Sequence, residues 1–204
     1  MPKDAIYIDH TTASAGIARD LYAEAKQRGL HFLDAPVSGG EAGAKNGVLT
    51  VMCGGDQKTF DDAKGPMESY GRAVTLMGPA GAGQLTKSVN QIVVAGCVQG
   101  LAEGINFGLK AGLDMHRVLE VIAKGAAQSW QMENRGKTMI EDQFDFGFAV
   151  DWMRKDLRIC FEEAAKNGAD LTATHVVDAF YADVQAIGGG RWDISSLIKR
   201  LRKT

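Results

Sequence analysis

Cysteine is scarce in this chain, and the few that occur are placed where neither disulfides nor metal sites are expected. The 204 residues contain three cysteines, Cys53, Cys97 and Cys160, far apart inside apolar segments. An odd and scattered set predicts reduced thiols and a cytosolic type of compartment. Neither these thiols nor the four histidines show metal-ligand spacing. We therefore expect no bound metal, and histidines that are structural or exposed.

Long apolar runs and a strong net charge are also missing. No run of about 18 apolar residues occurs and no signal peptide opens the sequence, which predicts a soluble, cytoplasmic protein with no membrane partner. The formal net charge is -2, with 23 basic and 25 acidic residues. Nothing in this balance draws the whole molecule to nucleic acid or to anionic lipid.

A third absence concerns the glycine pattern that binds the phosphates of a dinucleotide. The pattern G-x-G-x-x-G, between an N-terminal strand and a helix, does not occur here. The segment Gly78-Pro-Ala-Gly81-Ala-Gly83 does join a predicted strand to a predicted helix, but its glycine spacing differs. We interpret it as a turn that lets the helix start close to another element, not as a phosphate loop.

What is present is a change of pattern near residue 78. Up to Met77, short apolar runs alternate with amphipathic stretches in the order β-α-β-β-α-β, whereas only helical periodicity follows. In this part Ala35–Gly40 reads as a sharp turn after the second strand. The patterns predict an α/β layer over residues 1–78 and an all-α domain, built around a long central helix, over residues 79–204.

The predicted central helix opens at the turn Gly78-Pro79 and then runs to Gly112 without a further proline. Its apolar residues recur at helical spacing on several faces, so we expect most of its surface to be buried. Three polar residues, Lys87, Asn90 and Gln91, follow the spacing i, i+3, i+4 and share one face. Spacing alone leaves two interpretations open: a solvated lysine on the first turn, or a buried lysine with a chemical task.

Three segments, taken in order, resemble the β-hydroxyacid dehydrogenases, the family of 3-hydroxyisobutyrate dehydrogenase and tartronate semialdehyde reductase. They are Asp34-Ala-Pro-Val-Ser-Gly-Gly40, Gly81-Ala-Gly-Gln-Leu-Thr-Lys-Ser-Val-Asn-Gln91 and Lys155-Asp-Leu157, with a weaker match at Asp9-His-Thr-Thr12. The resemblance covers essentially the whole chain. The family begins with a glycine-rich strand-turn-helix and further β-α units that this sequence does not contain. The α/β layer therefore resembles the second half of a Rossmann-like cofactor domain, a partial Rossmann-like fold.

The resemblance implies reversible hydride transfer between a β-hydroxy acid and NAD or NADP. Lys87 stands where the family has its catalytic lysine, which implies a general acid/base. A lysine held among apolar groups suits this task, because desolvation lowers its pKa toward the working pH. Asn90, on the same face, is expected to orient the substrate.

Further site residues follow from the same resemblance, each beside a simpler reading. Ser38-Gly39-Gly40 is expected to bind the substrate carboxylate, but could be a plain turn. Gln91 is a less certain substrate contact, or a hydrogen bond between helices. Thr12 is expected to contact the cofactor, or to be a simple helix cap. Lys155 is expected to close over the cofactor, or to be a surface charge beside Asp156.

Two other functions stay open at this point. A protein without the glycine fingerprint could serve binding or assembly and be catalytically silent, and imine reductases form a sister branch that usually replaces the lysine. The choice between NAD and NADP cannot be read, since the residue that meets the ribose belongs to the part of the family missing here. The apolar helical part predicts a homodimer or homotetramer.

Overall fold

The computed structural model describes residues 2–202, so the outer limits of the predicted domains, residues 1 and 204, lie outside the described residues. The chain forms two compact units. The first contains the residues up to Asn90 together with Arg158–Ala169, and the second contains Gln91–Leu157 together with the residues from Asp170 onward. The units therefore do not divide at residue 78, and the functional domain boundary stays a prediction.

The first unit contains one five-stranded mixed sheet with helices. Strands β1 and β2 are parallel, β4 and β5 are parallel, and β4 runs antiparallel to β2 and β3. The elements, in chain order, are β1 (Ile6–Asp9), α1 (Ala15–Gln27), β2 (His31–Asp34), β3 (Val37–Ser38), α2 (Gly40–Lys45), β4 (Leu49–Gly54), α3 (Gln57–Glu68) and β5 (Gly71–Gly78).

The segment expected to turn sharply, Ala35–Gly40, instead continues the second strand. β2 and β3 face β4 in one continuous register, with Asp34 opposite Gly54, Val37 opposite Val51 and Ser38 opposite Thr50. Pro36 interrupts the strand without ending the pairing, because its carbonyl oxygen still accepts the N–H of Met52 at 3.0 Å. The turn comes only at Gly39 and Gly40, whose φ angles are +133° and +62°. The expectation of an early turn was therefore wrong.

The core of the first unit lies between the sheet and α3. Its buried residues come from the middle strands and from one face of that helix: Leu33, Ala35, Leu49, Val51, Cys53, Phe60, Ala63 and Met67. A central strand that is apolar on both faces predicts burial on both sides, as β4 shows. The core fixes the ends of β2 and β4, next to which the polar residues described below are found.

The chain after β5 is helical, as the change of pattern predicts. The bounds are α4 (Ala82–Lys110), α5 (Met115–Ile122), α6 (Trp130–Ile140), α7 (Val150–Asn167), α8 (Thr172–Ala186) and α9 (Leu197–Leu201), with short 3-10 helices at Gly189–Arg191 and Ile194–Ser196. Within residues 79–202 the β pairing is limited to one bridge, between Ala149 and Asp193. The predicted fold class, an α/β layer followed by an all-α part around a long helix, is confirmed.

The expectation that most of α4 is buried was wrong, because one side of this helix is exposed. Val89, Val93 and Phe107 are 61%, 63% and 74% exposed. On the same side lie three glycines, Gly96, Gly100 and Gly104, where an added Cβ would meet no atom within 4 Å. Periodicity finds apolar positions, but it does not say which of them the same chain covers.

Among the described residues, α4 is also the one helix that could cross a membrane by length and composition alone. Its 29 residues, Ala82–Lys110, are long enough and apolar enough to do so. The central helix of a soluble protein meets the same two criteria, so this is weak support for a membrane span. The absence of a membrane partner stays a prediction.

Candidate active site

A buried carboxylate holds the first turn of α4. Asp34, at the end of β2, is fully buried. Its Oδ1 accepts the backbone N–H of Gly81 at 2.7 Å, and its Oδ2 accepts that of Gln84 at 3.0 Å. The first N–H groups of a helix lack partners within the helix and carry its positive end, so a carboxylate stabilises them twice over. Burial raises the pKa of Asp34, although the backbone N–H groups that it accepts act in the opposite direction.

Two glycines make the room that this carboxylate needs. A Cβ on Gly54 would lie 2.5 Å from Asp34 Oδ1, and a Cβ on Gly83 would lie 2.8 Å from Asp34 Oδ2. Gly83 belongs to the glycine-rich turn, which sequence reasoning assigned to a close start of the helix. The structure agrees, and it identifies what the helix start approaches: Asp34 at the end of β2.

Gln84, in the same turn, holds the loop that follows β1. This side chain is 2% exposed. Its Nε2 donates to the carbonyl oxygen of Thr11 at 2.7 Å, and its Oε1 accepts the N–H of Ala13 at 3.0 Å. Thr12, the predicted cofactor contact, lies between these two attachment points.

His10 has a structural role, as expected of the histidines, but its partners could not be named from the sequence. One ring nitrogen, Nδ1, lies 2.6 Å from the carbonyl oxygen of Ala35, and the other, Nε2, lies 2.8 Å from the hydroxyl of Tyr70. Since a carbonyl only accepts, Nδ1 carries the proton and Nε2 of a neutral ring accepts from Tyr70. His10 therefore ties the end of β1 to the end of β2, and no local sequence signal announces either partner.

These contacts connect three predicted parts of the site at one edge of the sheet in the first unit: the end of β2, the Thr12 loop and the start of α4. Asp34 joins the end of β2 to the start of α4, and Gln84 joins α4 to the Thr12 loop. Lys87 follows Gln84 by three residues, almost one helical turn. It is 8% exposed, so the interpretation of a solvated lysine on the first turn was wrong. Its chemical role stays a prediction.

The remaining predicted residues of the first unit lie in the segment from Ser38 to Gly40 and on α4. Ser38 and Gly39 are half-buried and Gly40 is exposed, with open space where a Cβ of Gly40 would lie. Asn90 is half-buried and follows Lys87 by three residues on α4. Together with Thr12, they offer hydroxyl, amide and backbone groups that suit a small carboxylate or the carboxamide of a nicotinamide.

In the second unit, Gln91 and Lys155 converge on one buried carboxylate. Gln91 is 3% exposed and donates from Nε2 to Asp156 Oδ2 at 2.7 Å. Lys155 Nζ lies 2.7 Å from Asp156 Oδ1, and its side chain is 35% exposed. Gln91 thus makes the hydrogen bond between helices that its simpler reading proposed, and Lys155 lies beside Asp156. Their substrate and cofactor roles stay predictions.

Among residues 2–202, no group of three or more His, Cys, Asp or Glu side chains is placed to hold a metal ion. The donor chemistry at the sheet edge fits an organic cofactor and an anionic substrate better than a metal. The comparisons with known proteins identify the class as that of dinucleotide-dependent oxidoreductases.

Two family models match the chain. Residues 1–78 match the NAD binding domain of 6-phosphogluconate dehydrogenase, and residues 81–201 match the NAD-binding region of NADP-dependent 3-hydroxyisobutyrate dehydrogenase. Both describe nicotinamide dinucleotide binding, so the cofactor of this chain is NAD or NADP. The chain belongs to the β-hydroxyacid dehydrogenase family.

Individual relatives agree with this assignment. A protein of Shewanella frigidimarina named an uncharacterized oxidoreductase is 60% identical over 204 residues, which are 100% of this chain and 70% of the relative. The 2-hydroxy-3-oxopropionate reductase of Escherichia coli is 34% identical over 95% of this chain and 66% of its own length. The solved structure of Mycobacterium tuberculosis 3-hydroxyisobutyrate dehydrogenase with L-serine has a TM-score of 0.87 at 31% identity, and the match covers 97% of this chain and 70% of that one.

Proposed function

We propose that this protein interconverts a β-hydroxy acid and its semialdehyde, of the 3-hydroxyisobutyrate or tartronate semialdehyde type, with Lys87 as general acid/base. The observation that carries the proposal is the burial of Lys87, 8% exposed, within one turn of the residue that holds the Thr12 loop. Burying a lysine is costly unless a partner or a task compensates for the lost hydration, and the matching position of the family's catalytic lysine suggests the task. Membership of a family of NAD(P)-dependent hydroxyacid dehydrogenases supports the reaction class.

In the proposed oxidation, the substrate hydroxyl loses its proton to the neutral amine of Lys87 while its carbon loses a hydride. NAD or NADP, when bound, supplies the hydride acceptor. In the reverse direction, the Lys87 ammonium returns the proton to the carbonyl oxygen as the carbon gains the hydride. A group that exchanges protons in both directions works best when its pKa lies near the operating pH, which burial of a lysine favours.

The other proposed site residues bind and orient the substrate and the cofactor. The hydroxyl of Ser38 and the backbone N–H groups of Gly39 and Gly40 bind the substrate carboxylate, which fits the open space at Gly40. Asn90 orients the reacting hydroxyl, and Thr12 contacts the cofactor. In the second unit, Lys155 serves the cofactor. Gln91 supports it through Asp156, because Gln91 donates to Oδ2 of the carboxylate whose Oδ1 pairs with Lys155.

The test is the kinetics of Lys87→Ala in the protein expressed from its complete gene. Replacement should lower kcat by about 100-fold or more, because positioned acid/base groups contribute 10²–10⁴-fold, while the Kd for NAD(P)H stays within about twofold. Small primary amines added to the solution should restore part of the rate. The matched control is Lys58→Ala, whose lysine side chain is 85% exposed and pairs with Asp62. Full activity of Lys87→Ala would remove this lysine from the mechanism.

The same assay separates the alternatives. Reduction of tartronate semialdehyde or of the semialdehyde of 3-hydroxyisobutyrate, each with NADH and NADPH, identifies the substrate and the cofactor. Preference for a cyclic imine would favour the imine reductase branch, although the presence of Lys87 argues against it. A protein that assembles normally but turns over neither kind of substrate would favour the catalytically silent binding or assembly function.

We also propose that the protein forms a homodimer or homotetramer through the exposed side of α4. In the second unit this side presents Val93 and Phe107, 63% and 74% exposed, beside the uncovered glycines. A cavity of about 360 Å³ with apolar lining opens along the same helix. Exposed apolar surface of this kind marks a contact site.

Light scattering of Phe107→Asp tests the assembly. The substitution should convert the assembly to monomers at micromolar concentration, whereas Val176→Asp, on the 48% exposed Val176 of α8, should leave it intact. A wild-type monomer would exclude the assembly. We further propose that the protein works in the cytoplasm, which cell fractionation would test.

A further inference from the structure

The side-chain amide of Gln84 forms hydrogen bonds with the main chain as a neighbouring strand would. The amide offers one donor and one acceptor, and it uses both on a single loop, at Thr11 and at Ala13. The orientation of the amide group is fixed by its partners, since a carbonyl oxygen only accepts and a backbone N–H only donates. The two bonds hold the main chain on both sides of Thr12.

The position of Gln84 is fixed from the other side. Its backbone N–H donates to Asp34, which is fully buried and leaves no room for a side chain at Gly54 or Gly83. The first turn of α4 therefore cannot shift along the end of β2 without a clash or the loss of a buried hydrogen bond. Gln84 transmits this fixed position to the loop after β1.

The same helix carries Lys87 three residues further on. Residues three apart on a helix are neighbours, with Cβ atoms roughly 5–6 Å apart. The loop that carries Thr12 and the lysine proposed for proton transfer are thus both held by one rigid turn of α4. A loss of the Gln84 contacts would leave the lysine in place and release only the Thr12 loop.

We propose that Gln84 is a positioning residue that holds the loop of residues 11–13 where Thr12 contacts the cofactor and fixes the distance of this loop from Lys87. The inference rests on the proposed function, because it takes Thr12 as a cofactor contact. Gln84 itself touches neither the cofactor nor the substrate. It acts through the main chain of residues 11–13.

Two substitutions at Gln84 separate its two hydrogen bonds. Gln84→Met keeps the length and apolar body of the side chain and removes both bonds. Gln84→Glu, in its ionised form, keeps the acceptor for the N–H of Ala13 and removes the donor to Thr11, so the comparison is made at alkaline pH, where the new carboxyl group is ionised. In the absence of cofactor, amide hydrogen exchange at Ala13 should be about tenfold or more faster in Gln84→Met and close to the wild-type rate in Gln84→Glu.

Cofactor binding gives the second readout. The Kd for NAD(P)H should rise about tenfold in Gln84→Met, the effect of one to two lost hydrogen bonds, while kcat at saturating cofactor changes less. Thr12→Val should weaken binding in wild type and add little in the Gln84→Met background, because the two act as a unit. A Phe60→Leu variant, in the core of the same unit, serves as the control that lowers stability without touching the loop.

Each outcome decides the inference. Unchanged exchange at Ala13 in Gln84→Met would show that the bonds do not hold the loop and would overturn it. Faster exchange with unchanged cofactor affinity, or additive effects with Thr12→Val, would also overturn it. If wild type bound no NAD(P)H, the proposed function would fail and the cofactor part of the inference with it. The exchange result would still decide whether Gln84 holds the loop. If Gln84→Met did not fold, the same comparison of single and double variants with Thr12→Val would be made with Gln84→Glu.

Discussion

The buried carboxylate of Asp34 allows a prediction whose sign is set by the structure. Asp34→Ala would leave two buried N–H groups, of Gly81 and Gln84, without acceptors. Each unsatisfied buried donor costs about 1–3 kcal/mol, so the free energy of unfolding should fall by about 2–6 kcal/mol. Asp34→Asn keeps one acceptor and turns an NH₂ group toward the other N–H. Its cost should be about 1–3 kcal/mol, for one buried N–H that loses its acceptor.

The effect of Asp34→Asn should depend on pH, because asparagine does not titrate. Burial raises the pKa of Asp34 above its ordinary value of 3.8. In the range between the two values, the unfolded chain loses this proton while the folded chain keeps it, so stability from Asp34 is complete at low pH and declines as the pH rises through the folded pKa. The destabilisation caused by Asp34→Asn should therefore be larger in acid than at neutral pH.

The assay must report on the first unit. All three tryptophans, Trp130, Trp152 and Trp192, belong to the second unit, so their fluorescence does not report on Asp34 directly. Hydrogen exchange at the amides of Gly81 and Gln84, measured for both proteins over a series of pH values, gives the local free energy of opening. A destabilisation that grows from acid toward neutral pH would refute the reasoning. It would mean that the hydrogen bonds to the carboxylate outweigh its desolvation.

Two further predictions use pairs of residues that differ in surroundings. Burial, with the nearby Asp34 carboxylate, raises the pKa of Cys53 to about 12. Thiol reagents at mildly alkaline pH should therefore label the half-buried Cys97 well before Cys53. Mass spectrometry gives the order of labelling, and early labelling of Cys53 would contradict its burial. Gly83→Ala should lower the free energy of unfolding by more than about 3 kcal/mol, since its Cβ would overlap the Met52 carbonyl oxygen. Gly16→Ala in α1, where the Cβ meets nothing nearer than 3.7 Å, should instead raise it by about 0.5–1 kcal/mol. Denaturant unfolding compares the two, and equal effects would argue against the close packing at Gly83.

Local signals in the sequence mark several of the helix starts. Ser14, Asp114 and Ser129 precede α1, α5 and α6, and each accepts backbone N–H groups of the first turn as a cap should. A cap depends on residues within one turn, so the sequence contains all the information it requires. The continuation of β2 through Pro36 into β3 was missed because strand pairing depends on β4, which lies further along the chain.

The exposed side of α4 was missed for a related reason, and spacing alone did not predict the burial of Lys87. Spacing says which residues share a face of a helix, but the environment of that face is set by elements far away in the sequence. Val93 and Lys87 belong to one regular helix, yet the first is 63% exposed and the second 8%. The motif resemblance predicted a buried lysine, whereas spacing alone favoured a solvated one.

The residues that hold the site differ from its proposed reacting groups in how they can be recognised. Proton transfer at neutral pH restricts the choice of side chain, so a lysine at a fixed place in a motif is informative. Gln84 must supply one donor and one acceptor at the right distance, which an asparagine or a neutral histidine can also do. Its partners, moreover, lie 71 and 73 residues away along the chain, and those of Asp34 lie 47 and 50 residues away. Neither residue type nor local periodicity marks such a contact, and only the folded chain reveals it.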